Sequence, residues 1–235
     1  WAALDGEVVL AAMGQAFFTL SLGMGIMMAY GSYLGEDVNL LSTARTVIII
    51  DTAIALLAGL AIFPIVFANG MSAGEGPGLI FVTLPIAFGN MAGGVLLGLM
   101  FFLLLTFAAL TSAISLLEPT VEMLEERMRL PRLTATLISG GAVWLLGVAA
   151  LLSFNLWSEV LFLGLNIFDL LDTFTAKILL PLTGLGAIVF VAWCLKRQSV
   201  EQELGLSPTG IQIWNIIGRY IAPIGVIGVF IAGFI

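Results

Sequence analysis

Long runs without a charged residue dominate the pattern of polar and apolar positions. The three longest runs lie between Glu7 and Glu36, between Glu75 and Glu118, and between Arg132 and Glu159. Each is longer than the roughly 20 residues that a transmembrane helix needs. The runs do not alternate between apolar and polar residues and are too long for barrel strands, which favours helices. The pattern predicts six spans, at about residues 8–30, 46–68, 93–117, 133–152, 168–195 and 213–235.

The connection between the second and third spans, residues 69–92, has an unusual composition. It is too apolar for a solvated loop, yet Pro and Gly interrupt it too often for a span. Segments of this kind pack against protein. We expect an outward-facing lid or re-entrant hairpin, with an ordinary packed loop as the alternative.

The basic residues predict the orientation of the spans. Seven of the eight Lys and Arg residues fall at one side of the predicted spans, and the positive-inside rule makes that side cytoplasmic. The eighth, Lys177, lies inside the fifth span, and the sequence identifies no partner for it. Both chain ends then face outward. Because no export signal precedes the first span, we expect further spans before Trp1.

Composition confirms the membrane class and removes several kinds of chemistry. The chain is 60% hydrophobic and only 10% charged, whereas a soluble domain carries roughly 25% charged residues. It contains no His and one Cys, which argues against zinc sites, haem ligation, thiol redox chemistry and His-dependent catalysis. The net charge of −7 argues against a nucleic-acid partner.

The first span carries polar residues and glycines where the middle of the membrane is expected. Thr19 and Ser21 precede Gly23 and Gly25, which flank Met24. Each Gly lowers helix stability by about 1 kcal/mol against Ala, so a break in the helix is one reading. Transporters use broken helices to hold ions and the charged ends of substrates. Close packing of a glycine face against another helix is the alternative.

Asp51 interrupts an otherwise apolar second span. An ionisable residue within a span is costly and is a functional hypothesis by default. Its carboxylate is a hard oxygen ligand suited to Na⁺ or a proton. The alternative is an Asp near a helix start, relieved by Arg45 or water.

Three smaller signals follow along the chain. Thr111 and Ser112 could complete an oxygen cage with the carbonyl of Ala108, although hydroxyls in helices commonly bond to their own backbone. Gly94 and Gly98 form a GxxxG pair, which signals helix packing only. At the outer end of the fifth span, Asp169 and Asp172 can cap the helix or face an entry pathway; capping is favoured for Asp169. Asp169 and Asp172 both lie in the stretch NIFDLLDTF.

Several segments closely resemble the neurotransmitter:sodium symporter family. The string GQAFFTLSLGMG followed by MMAYGSYL resembles its sixth helix, and IDTAIALLAGLAIFP its seventh. FVTLPIAFGNMAGG is similar to the family's outer lid, FFLLLTFAALTSAISLLEP to its eighth helix, NIFDLLDTF to its tenth and RYIAP to its eleventh. The likeness covers essentially the whole chain and is strongest to the bacterial branch that transports hydrophobic amino acids.

The resemblance implies a fold and a place within it. The fold is an all-α integral membrane fold: the second inverted repeat of the leucine-transporter type, with five helices of which the first is broken, plus one further helix. Five helices are then expected before Trp1, so that the chain is a C-terminal half from the sixth to the eleventh helix. The expected location is the plasma membrane, as a multi-pass protein of a prokaryotic cell.

The same resemblance implies roles for individual residues. The implied first sodium site uses Thr19 and Asp51, and the second uses Ala108, Thr111 and Ser112. Residues absent from this chain complete both sites. Asp172 and Phe18 resemble parts of an outer gate, and Glu126, with Tyr33 nearby, resembles an inner gate. The implied amino-acid pocket is lined by Phe18, Thr19, Ser21, Leu22, Met24, Ser112 and Leu116.

Two departures from other family members sharpen the expectation. Many animal members have Asn where Asp51 stands and bind chloride beside it; a fixed carboxylate makes a second anion costly. We therefore expect no chloride requirement. Gly23-Met24-Gly25 resembles the hydrophobic amino-acid branch, and the adaptable Met side chain suits bulky apolar substrates.

The sequence thus predicts Na⁺-coupled symport of hydrophobic L-amino acids by a protein that is not an enzyme. An intramembrane aspartyl protease is one alternative. Such an enzyme needs two facing Asp residues within spans, and Asp51 with Asp172 would be the only such pair. The Gly-x-Gly-Asp motif of such proteases is absent. A non-transporting sensor or packing subunit with the same fold is the other alternative.

Overall fold

A computed structural model describes residues 5–35, 37–70 and 76–234. These residues form helices, with an isolated bridge between Phe162 and Leu165. The chain divides into two units, one made of residues 1–43 and 116–235 and the other of residues 44–115.

The helices of the described residues are numbered here in chain order. They are α1 (Gly6–Thr19), α2 (Ile26–Ser32), α3 (Leu40–Ala68), α4 (Gly76–Gly89), α5 (Gly94–Met128), α6 (Arg132–Leu152), α7 (Ile167–Cys194), α8 (Arg197–Leu204) and α9 (Pro208–Ala232). Within the described residues, π-helical stretches occur at Leu79–Thr83, Thr173–Leu179, Phe190–Cys194 and Ile217–Ile221.

The predicted break in the first span is present. Asp5 caps the start of α1 by accepting a hydrogen bond from the backbone N–H of Val8 at 2.9 Å. The helix ends at Thr19, and α2 begins at Ile26. The intervening residues 20–25 form turns, as expected for an interrupted first helix of the repeat.

Five helices of the described residues are long and apolar enough to cross a membrane by length and composition: α3, α5, α6, α7 and α9. Three of them extend five or more residues beyond the predicted spans: α3 and α9 at their starts, and α5 at its end. Asn39 caps α3, its side-chain oxygen accepting from the N–H of Ser42 at 2.8 Å, so the helix begins at Leu40. Helix α5 extends to Met128 because its charged C-terminal turns continue the helix past the apolar run.

The unit of residues 44–115 is built around a small apolar core. Val66, Leu84 and Phe88 are buried there, on α3 and α4. The rings of Phe101 and Phe102, on α5, pack against Phe88 with ring centres 5.6 and 6.5 Å away. The helix α4 therefore lies against α3 and α5 within this unit.

The predicted lid segment contains more helix than its prolines and glycines suggest. The residues 76–89 are helical, and Pro85 is the second residue after the π-helical stretch. A Pro ring clashes with the carbonyl four residues earlier in an α-helix. The wider π turn, in which hydrogen bonds run from i+5 to i, displaces that carbonyl. Pro181 and Pro223 stand in the same position after their own π stretches.

The GxxxG pair of α5 has a packing role within this unit. A Cβ on Gly94 would overlap the carbonyl of Phe88, and a Cβ on Gly98 would lie 3.4 Å from the Phe88 ring. The two glycines let α5 approach the end of α4. The sequence-based reading of this pair as a packing signal is in line with these contacts.

Candidate functional site

The break between α1 and α2 is held open by backbone conformation. Three of its residues have positive φ: Ser21 at 55°, Gly23 at 80° and Gly25 at 82°. Gly adopts this left-handed region without steric cost, whereas other residues are strained there by roughly 1–2 kcal/mol. The break thus depends on the glycines and stores strain at Ser21, a position predicted to line the substrate pocket.

Backbone hydrogen bonds close the two helix ends at the break. The N–H of Leu22 donates to the carbonyl of Phe17 at 3.1 Å, and the N–H of Ser21 donates to that of Phe18 at 3.0 Å. On the other side, the carbonyl of Gly25 accepts from Ala29 at 3.0 Å and begins α2. Phe18 and Thr19 therefore stand on the last turn of α1, directly before the unwound residues.

A cavity of about 810 Å³ opens beside the end of α1. Its lining comes from α1, α7 and α9, and is mostly apolar. Phe18 and Asp172, the two residues predicted for an outer gate, both line it. The structure thus brings these two residues to one cavity. Gln15 and Lys177 add further polar groups to the same walls.

The start of α7 separates the roles of its two acids. Asn166 accepts from the N–H of Asp169 at 2.8 Å, and its amide donates to the Asp169 carboxylate at 2.7 Å. Asp169 therefore completes a reciprocal cap. Asp172 lies one turn further and faces the cavity instead. The Lys177 side chain packs against the end of α9: a Cβ placed on Gly233, the residue after the helix, would lie 3.5 Å from the Lys177 Cβ.

Asp51 lies far from either end of α3. The helix begins at Leu40, so Asp51 stands about 16 Å along its axis at 1.5 Å per residue. Asn39 provides the cap at the helix start. The alternative that Asp51 belongs to a helix start does not hold. The carboxylate is half-buried, in the middle of a helix long enough to span a membrane.

Two of the three groups predicted for the second sodium site, the Thr111 hydroxyl and the Ala108 carbonyl, lie together on α5. The Thr111 hydroxyl is 2.9 Å from the Ala108 carbonyl oxygen and 3.1 Å from that of Phe107. It donates back to its own helix, as the plainer interpretation holds. Ser112 is the next residue in sequence. One further turn along the helix, Leu116 shares the face of Ser112.

The end of α2 makes contacts that the sequence did not predict. The Tyr33 hydroxyl donates to the Glu118 carboxylate at 2.7 Å. Arg132 donates to the same carboxylate at 2.7 and 2.9 Å, and to Glu125 at 3.1 Å. Glu126, expected near Tyr33, is exposed and takes no part in this cluster. It lies eight residues beyond Glu118, or about 12 Å along the helix.

This Tyr33–Glu118–Arg132 cluster joins the end of α2 to α5 and to the start of α6. Glu118 is the more enclosed partner, with 15% of its side chain exposed against 56% for Arg132. Because its hydroxyl donates to the Glu118 carboxylate, the pKa of Tyr33 is raised above its ordinary value. Tyr33 is therefore a protonated donor at neutral pH.

Sequence reasoning did not identify three of the residues that make these contacts. In the sequence, Glu118 and Arg132 are charges that bound apolar runs, and no local pattern distinguishes Thr183. The Thr183 hydroxyl lies 2.6 Å from the carbonyl oxygen of Gly23, inside the break. The signal for Glu118 was its position at the apolar boundary of α5, directly before Pro119.

Comparisons with known proteins match one family over nearly the whole chain. A family model described as the sodium:neurotransmitter symporter family matches residues 2–235. An uncharacterised sodium-dependent transporter of Haemophilus influenzae is 37% identical over 229 residues, covering 96% of this chain and 50% of the relative. The uncharacterised sodium-dependent transporter YhdH of Bacillus subtilis is 34% identical over 232 residues, covering 97% of this chain and 51% of the relative.

A solved structure is similar along the whole chain. The crystal structure of MhsT in complex with L-phenylalanine superposes with a TM-score of 0.89 at 43% identity, and covers 98% of this chain and 53% of MhsT. The chain thus spans about half the length of the relatives it matches.

These findings confirm the predicted fold and class. The repeat with a broken first helix is that of the leucine-transporter type, and the relatives are named transporters, not enzymes. With helices long enough to span a membrane and relatives in bacteria, this is a multi-pass protein of the prokaryotic cell membrane. The chain belongs to the sodium:neurotransmitter symporter family.

Proposed function

We propose that the protein carries out Na⁺-coupled, chloride-independent symport of hydrophobic L-amino acids, and that this chain supplies its C-terminal half. The observation that carries the proposal is the break between α1 and α2. There, Gly23-Met24-Gly25 interrupts the helix next to Phe18 and Thr19. Unwound backbone within a span exposes carbonyl and N–H groups to ions and substrate.

The proposed substrate pocket combines polar backbone with apolar side chains. Main-chain groups of the break face the charged ends of an amino acid, while Phe18, Leu22 and Met24 contact its side chain. Met adapts to side chains of different shape. MhsT, which is 43% identical to this chain, was crystallised with L-phenylalanine, and this supports a hydrophobic amino acid as the substrate of the present protein. The further proposed pocket residues are Thr19, Ser21, Ser112 and Leu116.

Two sodium ions are proposed as co-transported substrates. Thr19 and Asp51 contribute to the first site, and Ala108, Thr111 and Ser112 to the second. All offer hard oxygen ligands, which suit an alkali cation. The 2.9 Å separation of the Thr111 hydroxyl from the Ala108 carbonyl oxygen supports the second set. The five further helices expected from the family would supply the remaining ligands of both sites.

The proposed cycle uses the break as its moving part. Sodium binding orders the unwound residues, and the substrate carboxylate and ammonium groups complete the site. Phe18 and Asp172 close the outward path, which agrees with their place on one cavity. Rocking of one helix bundle against the other then opens the inward path. Glu126 and Tyr33 remain proposed for the inner gate, with Glu118 as the partner that Tyr33 has in this structure.

Transport in proteoliposomes tests the proposal. The purified full protein is reconstituted, and uptake of radiolabelled L-leucine is measured with an inward Na⁺ gradient and with K⁺ in its place. We expect uptake only with Na⁺, and competition by L-phenylalanine and L-tryptophan but not by L-aspartate or L-lysine. Equal uptake in K⁺, or no Na⁺-dependent binding at all, would contradict the proposal.

A further inference from the structure

The side-chain hydroxyl of Thr183 reaches the break from another helix. Thr183, on α7, donates to the carbonyl of Gly23 at 2.6 Å, across 160 positions of the chain. Gly23 has a φ of 80° and stands in the middle of the unwound residues. A carbonyl there has lost its helical donor and needs another. Thr183 supplies that donor.

The surrounding backbone fits this contact closely. A Cβ on Gly23 would lie 2.5 Å from the carbonyl oxygen of Leu180 and 2.9 Å from the backbone nitrogen of Gly184. A Cβ on Gly184 would overlap the ring of Phe17, which is on α1. The break therefore lies directly on the backbone of α7 at Gly23, where there is no room for a side chain, and Gly184 gives the Phe17 ring room against α7.

The Thr183 hydroxyl also has acceptors within its own helix. The carbonyl oxygen of Leu179 is 2.8 Å away and that of Leu180 is 3.1 Å away. A hydroxyl has one proton, so these acceptors compete with Gly23 for it. Bonding to the carbonyl four residues earlier is the usual state of a helical Thr. Release of Gly23 thus leaves the hydroxyl satisfied.

We propose that Thr183 is a positioning residue that holds the break in its substrate-binding conformation and releases it by turning its hydroxyl to donate to the Leu179 carbonyl instead. This inference rests on the proposed transport function and identifies what controls the break. A donor with a second acceptor nearby makes the held and released states close in free energy. Apparent substrate affinity then depends on the fraction of molecules in the held state.

Four variants of the full protein separate this role from a general packing effect. Thr183→Val replaces the hydroxyl donor by a methyl group of similar size. Thr183→Ala removes the donor and leaves a smaller side chain. Thr183→Ser keeps the hydroxyl donor. Thr175→Val is the matched control, because the Thr175 hydroxyl bonds only to backbone carbonyl oxygens of α7 among the described residues, those of Leu171 at 2.7 Å and of Asp172 at 3.2 Å.

Na⁺-dependent L-leucine binding and the thermal midpoint are measured for each variant. We expect Thr183→Val and Thr183→Ala to weaken binding by about 3- to 10-fold, the effect of one net hydrogen bond. Thr183→Ser and Thr175→Val should bind as the wild type does. The inference is wrong if Thr183→Val and Thr183→Ala bind like the wild type, or if Thr183→Ser is as weak as they are.

Amide hydrogen exchange gives a readout that does not need substrate. Without the donor, residues 20–25 should exchange faster, while the α7 amides should keep their protection. Unchanged exchange of the break in Thr183→Ala overturns the inference. A wild type with no Na⁺-dependent binding contradicts the proposed function instead, and the exchange measurement still decides whether Thr183 holds the break.

Discussion

Backbone conformation at single residues decides where the first helix of this repeat opens. Gly23 and Gly25 have nearly the same φ, 80° and 82°, but their surroundings differ. Gly23 lies on the backbone of α7, whereas a Cβ on Gly25 would meet the Pro119 ring at an ordinary 3.4 Å. Gly25 is thus needed only for its positive φ, whereas Gly23 is needed both for its positive φ and for the close approach of its backbone to α7.

Substitution by Ala distinguishes the two glycines. Gly25→Ala should lower the free energy of unfolding by roughly 1–2 kcal/mol, the cost of a left-handed non-glycine residue. Gly23→Ala should cost clearly more, since the Leu180 carbonyl cannot move away as a flexible side chain would. Chemical unfolding of the detergent-solubilised protein measures both. Equal losses would contradict the close approach of Gly23 to α7.

Helix packing is the next scale, and the clearest case is α4. Phe88 is buried on this helix at 8% exposure, whereas Phe81 on the same helix is 66% exposed. Phe88 contacts the rings of Phe101 and Phe102 and lies over Gly94 and Gly98. One aromatic side chain therefore connects α4 to the start of α5.

Truncation of this side chain should be costly. We expect Phe88→Ala to lower the free energy of unfolding by about 3–5 kcal/mol, through lost burial and the cavity left behind. Phe81→Ala is the matched control and should change stability by less than about 0.5 kcal/mol. Unfolding in a denaturing detergent measures the difference. Similar values for both variants would mean that α4 does not pack through Phe88.

The Tyr33–Glu118–Arg132 cluster gives a pH-dependent expectation at the level of helix ends. The pKa of Tyr33 is raised by its hydrogen bond to Glu118, so the folded state favours the protonated phenol. The stabilisation is then complete below the ordinary Tyr pKa of about 10 and is lost as pH rises through the raised value.

Tyr33→Phe should therefore lower the thermal midpoint by the same amount across neutral pH, and by less above about pH 10. Tyr220→Phe is the control, because Tyr220 is exposed and its hydroxyl makes no hydrogen bond within the described residues. A Tyr33→Phe difference that grows in alkaline solution would show that the phenolate, not the phenol, is the stabilising form.

At the scale of the whole molecule, the charge on α3 sets the expected ion requirement. Asp51 lies in the middle of a helix long enough to span a membrane. A carboxylate there supplies a fixed negative charge beside the proposed first sodium ion. A second anion nearby would be repelled strongly at low dielectric.

Replacement of chloride by gluconate should leave Na⁺-dependent uptake unchanged in the wild type. Asp51→Asn should weaken Na⁺ binding, and any uptake that remains should require chloride. Asp37→Asn, which alters an exposed Asp outside the helices, should behave as the wild type does. Chloride-dependent uptake by the wild type would contradict the assignment of Asp51 as the resident negative charge.

The sequence by itself determined the features that depend on local chemistry. Uncharged apolar runs predict helices because a bilayer leaves no other way to satisfy the backbone. The glycines around Met24 predict the break because glycine adopts the left-handed backbone conformation without steric cost. The position of Asp51 within an apolar run already marked it as costly. Family resemblance then assigned roles that composition alone does not reach.

Only the tertiary structure decided which groups meet. Thr183 contacts Gly23 across 160 positions, and Tyr33 contacts Glu118 across 85. The pattern of residues along one helix does not predict which residue of another helix it will contact. Tyr33 was expected near Glu126, two turns away from the carboxylate that it binds. Such pairings depend on how helices cross and how closely their backbones approach, which are set by packing over the whole unit and not by neighbouring residues.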